Sequence, residues 1–270
     1  VNLLYILLRL VRHFQPERLT RFLLRRGLII RPGLETREPA AAVARYVDAL
    51  QARGFSLKGR QVLVFGYGGN YAVGAELLQA GAGHVLLLDR FAPPDDRRNR
   101  ALLQTYPNYF RLQDGRVETM GEYLAVMHED VKKIHIGRKY DLVLSSSVYE
   151  HLDDVEGITA ALAGITAADG MQVHYVDLRD HYFKLPFEML RFSERAWKNW
   201  LNPTSNLNRY RLRDYREVFG RHFDEVSVNI LAREPDAFEH ARRGIRPEFL
   251  TGDDAQDDVT LIEVTARRPK

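Results

Sequence analysis

A layered α/β fold, with helices on both faces of a mostly parallel sheet, is what this 270-residue chain predicts. Three observations lead there. Gln61 to Asp89 reads as strand, glycine turn, helix, turn and strand. Tyr140–Ser145 and Met171–Val176 are further apolar runs, separated by a helical stretch at Val155–Ala167, which repeats the strand–helix alternation of a parallel sheet. A hydrophobic fraction of 45%, with 10% aromatics, is enough for a full core.

Within the first unit, Val62, Leu63, Val64 and Phe65 show no polar alternation, as expected of a strand buried on both faces. Gly66-Tyr67-Gly68-Gly69-Asn70 follows at once, where a chain leaving a strand must turn sharply and let a ligand approach the backbone. Tyr71 to Ala80 suits a helix whose first amides are expected to face that ligand. Gly81-Ala82-Gly83 ends the helix, and His84–Leu88 forms a second strand closed by Asp89, an acid suited to the diol of a ribose. The unit reads as a nucleoside site.

A dinucleotide fingerprint would place Gly or Ala three residues after Gly68, where Tyr71 stands, and the chain has no Gly-Lys-Ser/Thr for a P-loop. The stretch instead resembles motif I of the class I S-adenosyl-L-methionine (SAM)-dependent methyltransferases, G-x-G-x-G. Gly66 and Gly68 match, and Asn70 takes the third position beside Gly69. Tyr140-Asp141-Leu142-Val143, running on to Val148-Tyr149-Glu150-His151, resembles motif IV of the same family. The resemblance covers residues 58–180 well and 211–268 by pattern. It implies a three-layer α/β/α fold with a seven-stranded, mostly parallel sheet whose last strand is antiparallel. It also implies SAM as cofactor, bound by Gly66, Tyr67, Gly68, Gly69, Asn70, Asp89, Arg90, Ser145 and Ser146. In the family an acid after the third strand meets the adenine amino group. With a third strand at Tyr109–Leu112, Asp114 and Gly115 take that place, the rival reading being a ligand-free Asp-Gly turn.

Residues 1–57 are expected to form an N-terminal helical region and 58–270 the SAM-binding domain, with a cap insertion at about 182–210. Leu3, Leu7, Leu10 and Phe14 share one helical stripe, with Tyr5, Arg9 and Arg12 opposite. Glu17–Arg26 reads as a second, basic helix. Seven arginines (9, 12, 18, 21, 25, 26 and 31) stand against Glu17 in residues 1–31, while the whole chain carries only +3. That pattern fits a helical pair packed over the sheet or a partner subunit, or a surface resting on anionic membrane. No nucleic-acid partner is expected, because the basic residues are not spread over the catalytic face. With no cysteines, no signal-peptide pattern and no apolar run of about 18 residues, a cytoplasmic protein is expected, one able to lie at the inner face of a membrane.

Gly27–Pro39 reads as a linker, and Ala40–Arg53 as a helix delivering the chain to the first strand. Strands six and seven are expected at Glu225–Leu231 and Val259–Ala266, with acidic Gly252–Asp258 exposed between them. The aromatic insert after Asp180 is too apolar for a solvated loop and is expected to fold as a helical cap. Its Trp197, Asn208 and Arg209, with Glu150 and Asp177, are the candidate substrate contacts.

Methyl transfer needs nucleophile, methyl and sulfur in line, and an alcohol acceptor also needs a base. His151, His174, Asp177 and His181, all expected at strand tips, are the candidates. His181 is favoured, with Asp180 to orient it. His174 and Asp177 should point to opposite faces of strand five. Glu150 and His151 are also candidates to cap the following helix. Catechol-type methyltransferases hold magnesium with an Asp at the tip of strand four. Ser145 stands there, so no metal is expected. The Asn/Asp-Pro-Pro-aromatic motif of adenine-N6 enzymes is absent from that tip. The sequence thus points to O-methylation of a small-molecule or sugar hydroxyl. The alternatives are a non-catalytic SAM-binding regulator and a nucleotide-dependent oxidoreductase.

Overall fold

The computed structural model describes residues 3–14, 34–134, 137–180, 185–202 and 207–270. The predicted basic helix at Glu17–Arg26 and most of the predicted linker lie outside the described residues.

Among the described residues nine strands form: β1 (Gln61–Phe65), β2 (His84–Leu88), β3 (Phe110–Gln113), β4 (Arg116–Thr119), β5 (Leu124–Met127), β6 (Tyr140–Ser146), β7 (Thr166–Asp177), β8 (Phe223–Arg233) and β9 (Val259–Pro269). Seven of them make the main sheet, in the order β5-β2-β1-β6-β7-β9-β8. β9 runs antiparallel to both neighbours, and the other pairs are parallel, as expected. The register Phe65↔Leu88↔Met127 levels three strand tips. Between β1 and β6 the order of strands reverses, which opens a crevice at the carboxyl ends.

Among the described residues the helices of eight or more residues are α1 (Leu3–His13), α2 (Pro39–Gln51), α3 (Ala72–Gln79), α4 (Asp96–Thr105), α5 (Val155–Ile165), α6 (Leu212–His222) and α7 (Pro235–Arg242). Strand pleating sorts the core. Val62 and Val64 face α2 and α3, where Tyr46, Leu50 and Leu77 are buried. Leu63 and Phe65 face α5 and α6, where Leu162, Tyr215 and Phe219 close the other layer.

Two expectations are corrected. The third strand of the sheet is β5, not the segment at Tyr109–Leu112, which pairs with β4 as a separate antiparallel hairpin. Asp114 and Gly115, with φ of 49° and 75°, are its turn. Two successive positive φ values match the twist of a tight hairpin. The acidic stretch after Gly252 is only partly exposed: Asp257 and Asp258 are buried. Asp257 accepts from the amides of Thr251 and Gly252, and Asp258 from Arg233.

The sequence left open which face of α1 is covered. Tyr5 and Arg9 point inward and Leu10 is partly buried beside them, while Leu3, Leu7 and Phe14 face outward. The inward face joins a third cluster, with Phe187, Leu190, Trp197 and Leu201 of the cap and Phe238 and Ile245 from the β8–β9 connection. Arg9 pairs with buried Asp180, donates to the carbonyl of Leu201 and lies 4.7 Å from the Trp197 ring centroid. Tyr5 donates to Asp180 at 2.6 Å. Residues 1–57 therefore serve two cores, α1 that of the cap and α2 that of the sheet.

Candidate functional site

The glycine loop leaves β1 at the crevice. Gly66, Gly68 and Gly69 have φ of 79°, 70° and 83°, which disfavour any residue with a Cβ. Space argues the same way: a Cβ on Gly66 would run into Val148, and one on Gly69 into the carbonyl of Pro93. The loop is tied down from two sides. Asp89, at the tip of β2, accepts from Gly68 N at 3.1 Å and from Phe91 N and Ala92 N at 2.8 and 2.9 Å. Fully buried Asn99 donates to Gly69 O and accepts from Tyr71 N. Asn70 donates to Thr36 O and accepts from Ala72 N.

Two of the first amides of the α3 region are thus taken up by asparagine side chains, rather than left for a ligand. A phosphate at this helix end would have to displace them, whereas a phosphate-free nucleoside would not. SAM carries no phosphate. The Tyr67 hydroxyl is buried beside the loop with no partner among the described residues.

On the other side of the crevice stands the tip of β6, where Ser147 takes a left-handed φ of 55°. Arg45 of α2 donates to Ser146 Oγ at 3.0 Å, and its guanidinium stacks 3.5 Å from the Tyr175 ring centroid. Its Nε is buried without a partner among the described residues. Beside it, Glu35 accepts from Tyr46 at 2.5 Å, and burial pushes the Glu35 carboxyl up to about 7. Thr36, next in the chain, meets Gly68 and Asn70. Arg45, Glu35, Thr36 and Asn99 were missed by sequence reasoning. Periodicity marks α2 as core-facing but does not say that the helical turn before it, Leu34–Arg37, meets the glycine loop. Tyr46 of α2 is fully buried.

At the tip of β5, Asp130 accepts from Arg90 at 3.0 Å and from Lys132 N at 3.1 Å, with Glu129 exposed beside it. These acids follow the true third strand of the sheet. Asp114 and Gly115 do not, and sit instead in the hairpin against α4.

His174 is corrected as a candidate base. It is fully buried among Tyr149 and Phe219, and both ring nitrogens are engaged. Nδ1 lies 2.7 Å from Ser145 Oγ and Nε2 2.8 Å from Gln172 Oε1. Gln172 Nε2 donates to Thr166 Oγ1, which orients its oxygen toward the ring. A neutral imidazole with its proton on Nε2 satisfies the whole network. Burial holds its pKa down at about 3. Ser145, facing His174, is likewise sealed inside. As expected, Asp177 belongs to the opposite face of β7, where Arg179 grips it through Nε at 2.9 Å and Nη2 at 2.7 Å.

Asp180, expected to orient His181, is buried and accepts from Arg9 and Tyr5. His181 lies outside the described residues. His151 ends a single 3-10 turn, Tyr149–His151, at the β6 tip. Glu150 in that turn is buried, which pushes its carboxyl pKa well up. The following helix is capped by Asp154, which accepts from Gly157 N, and not by Glu150 or His151.

Three proposed substrate contacts prove to build the cap. Trp197 is buried and donates to Leu207 O. Arg209 donates to the carbonyls of Met189 and Phe192 and pairs with Glu194. Asn208 donates to Tyr149 O and Leu152 O, clamping the cap to the turn after β6.

No family model matches the sequence, and no curated protein matches it. Solved structures match in fold. Magnesium protoporphyrin IX methyltransferase (ChlM) from Synechocystis PCC 6803 with bound SAH superposes with a TM-score of 0.52 at 16% identity, over 97% of this chain and 99% of that one. A SAM-dependent methyltransferase from Mesorhizobium loti gives 0.47 at 16%, over 82% and 96%. The N-methyltransferase NodS from Bradyrhizobium japonicum WM9 gives 0.46 at 11%, over 88% and 91%. The chain has the fold of the class I SAM-dependent methyltransferases.

Proposed function

We propose that this chain is a SAM-dependent methyltransferase acting on a hydroxyl of a small molecule or glycan. The observation that carries the reading is the glycine loop at the reversal of strand order. It is braced by Asp89 and Asn99, with helix-end amides already satisfied, which suits a nucleoside without phosphates. Asp89 is placed to accept from ribose hydroxyls. Glu129 or Asp130 takes the adenine place that the family resemblance gives to an acid after the third strand. Arg45, with a partnerless buried Nε, is placed to receive the carboxylate of an amino acid. Bound SAM supplies an electrophilic methyl on a sulfonium.

The protein's remaining tasks are to exclude water, to align the acceptor and to take its proton. We assign the proton to His181, with His151 at the β6 tip as the other candidate. The chain has no cysteine, and we place this chemistry in the reducing cytosol.

Calorimetry with SAM, SAH and NADH tests the cofactor reading. Binding of NADH in place of SAM and SAH would overturn it. Incubation with methyl-labelled SAM and cell extract, followed by mass spectrometry, identifies the acceptor. Tight SAH binding with no labelled product would favour the regulatory alternative.

A further inference from the structure

α1 is mounted in an unusual way. An amphipathic helix on a globular protein normally turns its apolar stripe to the core. Here Leu3, Leu4, Leu7, Val11 and Phe14 are 80%, 62%, 58%, 60% and 71% exposed, while Arg9 is 1% exposed. The orientation is fixed by the Arg9–Asp180 pair, the Tyr5–Asp180 hydrogen bond and the Arg9 contact to Leu201 O. The apolar surface continues onto the cap. His13 packs against both Phe14 and Trp200, at 4.8 and 5.8 Å between ring centroids, and Trp200 is 53% exposed.

The N-terminal sequence that carries this face is strongly basic. Residues 3–14 contain no acid, and the chain running on from Phe14 adds Arg18, Arg21, Arg25, Arg26 and Arg31 against Glu17 alone. Lys198, two residues from Trp200 on the cap, is exposed and pairs with Glu194 at 3.1 Å. Among the described residues no helix is long and apolar enough to cross a bilayer. With 11 residues, α1 extends only about 16 Å, so it can lie in an interface but not span one.

We propose that the outward face of α1, together with Trp200, docks this protein onto an anionic lipid bilayer. Leucines, a phenylalanine and a tryptophan on one exposed face, in an N-terminal segment whose sequence is rich in arginine, are the chemistry of an interfacial helix. The arginines add attraction to anionic headgroups, and Trp200 suits the headgroup level. The rigid mounting on the cap means that α1 does not fold on binding, so no ordering cost is added there. The docking stands on this geometry and not on methyl transfer, so it is read without any acceptor.

The test is co-sedimentation of the full chain with two kinds of vesicle, phosphatidylcholine alone and phosphatidylcholine mixed with phosphatidylglycerol. Partition should be at least about tenfold stronger on the mixed vesicles. The double variant Leu7→Asp/Val11→Asp alters only exposed positions and should lose at least about tenfold in partition while melting like the parent. Tryptophan emission should shift to the blue on adding mixed vesicles, and Trp200→Phe should abolish the shift because Trp197 is already buried. Absence of binding to mixed vesicles, or unchanged partition of the double variant, would overturn the proposal. So would a dimer in sedimentation velocity that the double variant dissociates, which would assign the face to a second copy of the chain.

Discussion

His174 offers a sharp check on the interior of this fold, because its protonation should be readable as stability. Buried in a network that only a neutral ring satisfies, it has a folded pKa of about 3, whereas an unfolded histidine titrates near 6.5. The unfolded chain therefore binds the proton first. Stability from this group is fully present above pH 6.5 and is lost as the pH falls toward 3. Linkage makes the loss about 2 kcal/mol at pH 5 and about 3 kcal/mol at pH 4.

Glu35 works in the opposite sense. Its carboxyl is raised to about 7, so its contribution is present below about 4.5 and is lost as the pH rises through 7. The raw pH profile therefore mixes the two. Comparison of the wild type with His174→Gln isolates one, since the residues belong to opposite faces of the sheet and should act additively. Urea unfolding from pH 7.5 to 4 is the assay. The stability difference between the two proteins should shrink by about 3 kcal/mol over that range. Two parallel curves would mean that His174 is not held neutral, and would return it to the candidates for catalysis.

Other substitutions probe the site and the cap. Asp89→Ala should weaken SAM binding about ten- to a hundredfold by calorimetry, because ribose hydroxyls and the Gly68 amide lose their acceptor; unchanged affinity would remove Asp89 from the site. Arg9→Met should cost about 3–5 kcal/mol in urea unfolding by leaving Asp180 buried without it, and Arg9→Met/Asp180→Leu should recover a large part. If the single variant unfolds like the parent, the pair does not mount α1. In single-turnover assays His181→Ala or His151→Ala, whichever residue takes the proton, should slow the step by about 10²–10⁴ with SAM affinity kept. Losses below tenfold in both would point to an acceptor that needs alignment only.

The parts of the fold that were legible in the sequence depend on local pattern. Val62–Phe65, His84–Leu88 and the glycines between them follow from burial on two faces and from a turn that only glycine enters freely. All three features are contained within 29 residues, and the structure reproduces them with Asp89 bonded to Gly68. Asp114 went astray for a related reason. Tyr109–Leu112 has the composition of a strand and does form one, but composition does not reveal which sheet a strand joins. The choice was made by β5, a four-residue strand that pairs with β2.

The site residues that were misplaced depend on partners far along the chain. Nothing near Asn208 or Arg209 indicates that their side chains will be taken up by carbonyls at Tyr149, Leu152, Met189 and Phe192. A polar residue in an aromatic insert looks the same whether it meets a substrate or a backbone. α1 shows the limit most plainly. Its period establishes two faces, and the usual rule then buries the apolar one. That rule assumes the polar face has no better partner than water. Arg9 finds Asp180, 171 residues away, together with Leu201 O and the Trp197 ring. A guanidinium so bonded can be buried, and its burial leaves the leucines outside. Amphipathicity thus fixes which residues share a face, while the far partner decides which face is covered. An apolar stripe displaced in this way is exposed by construction, which is why its contact with lipid can be tested on the folded protein.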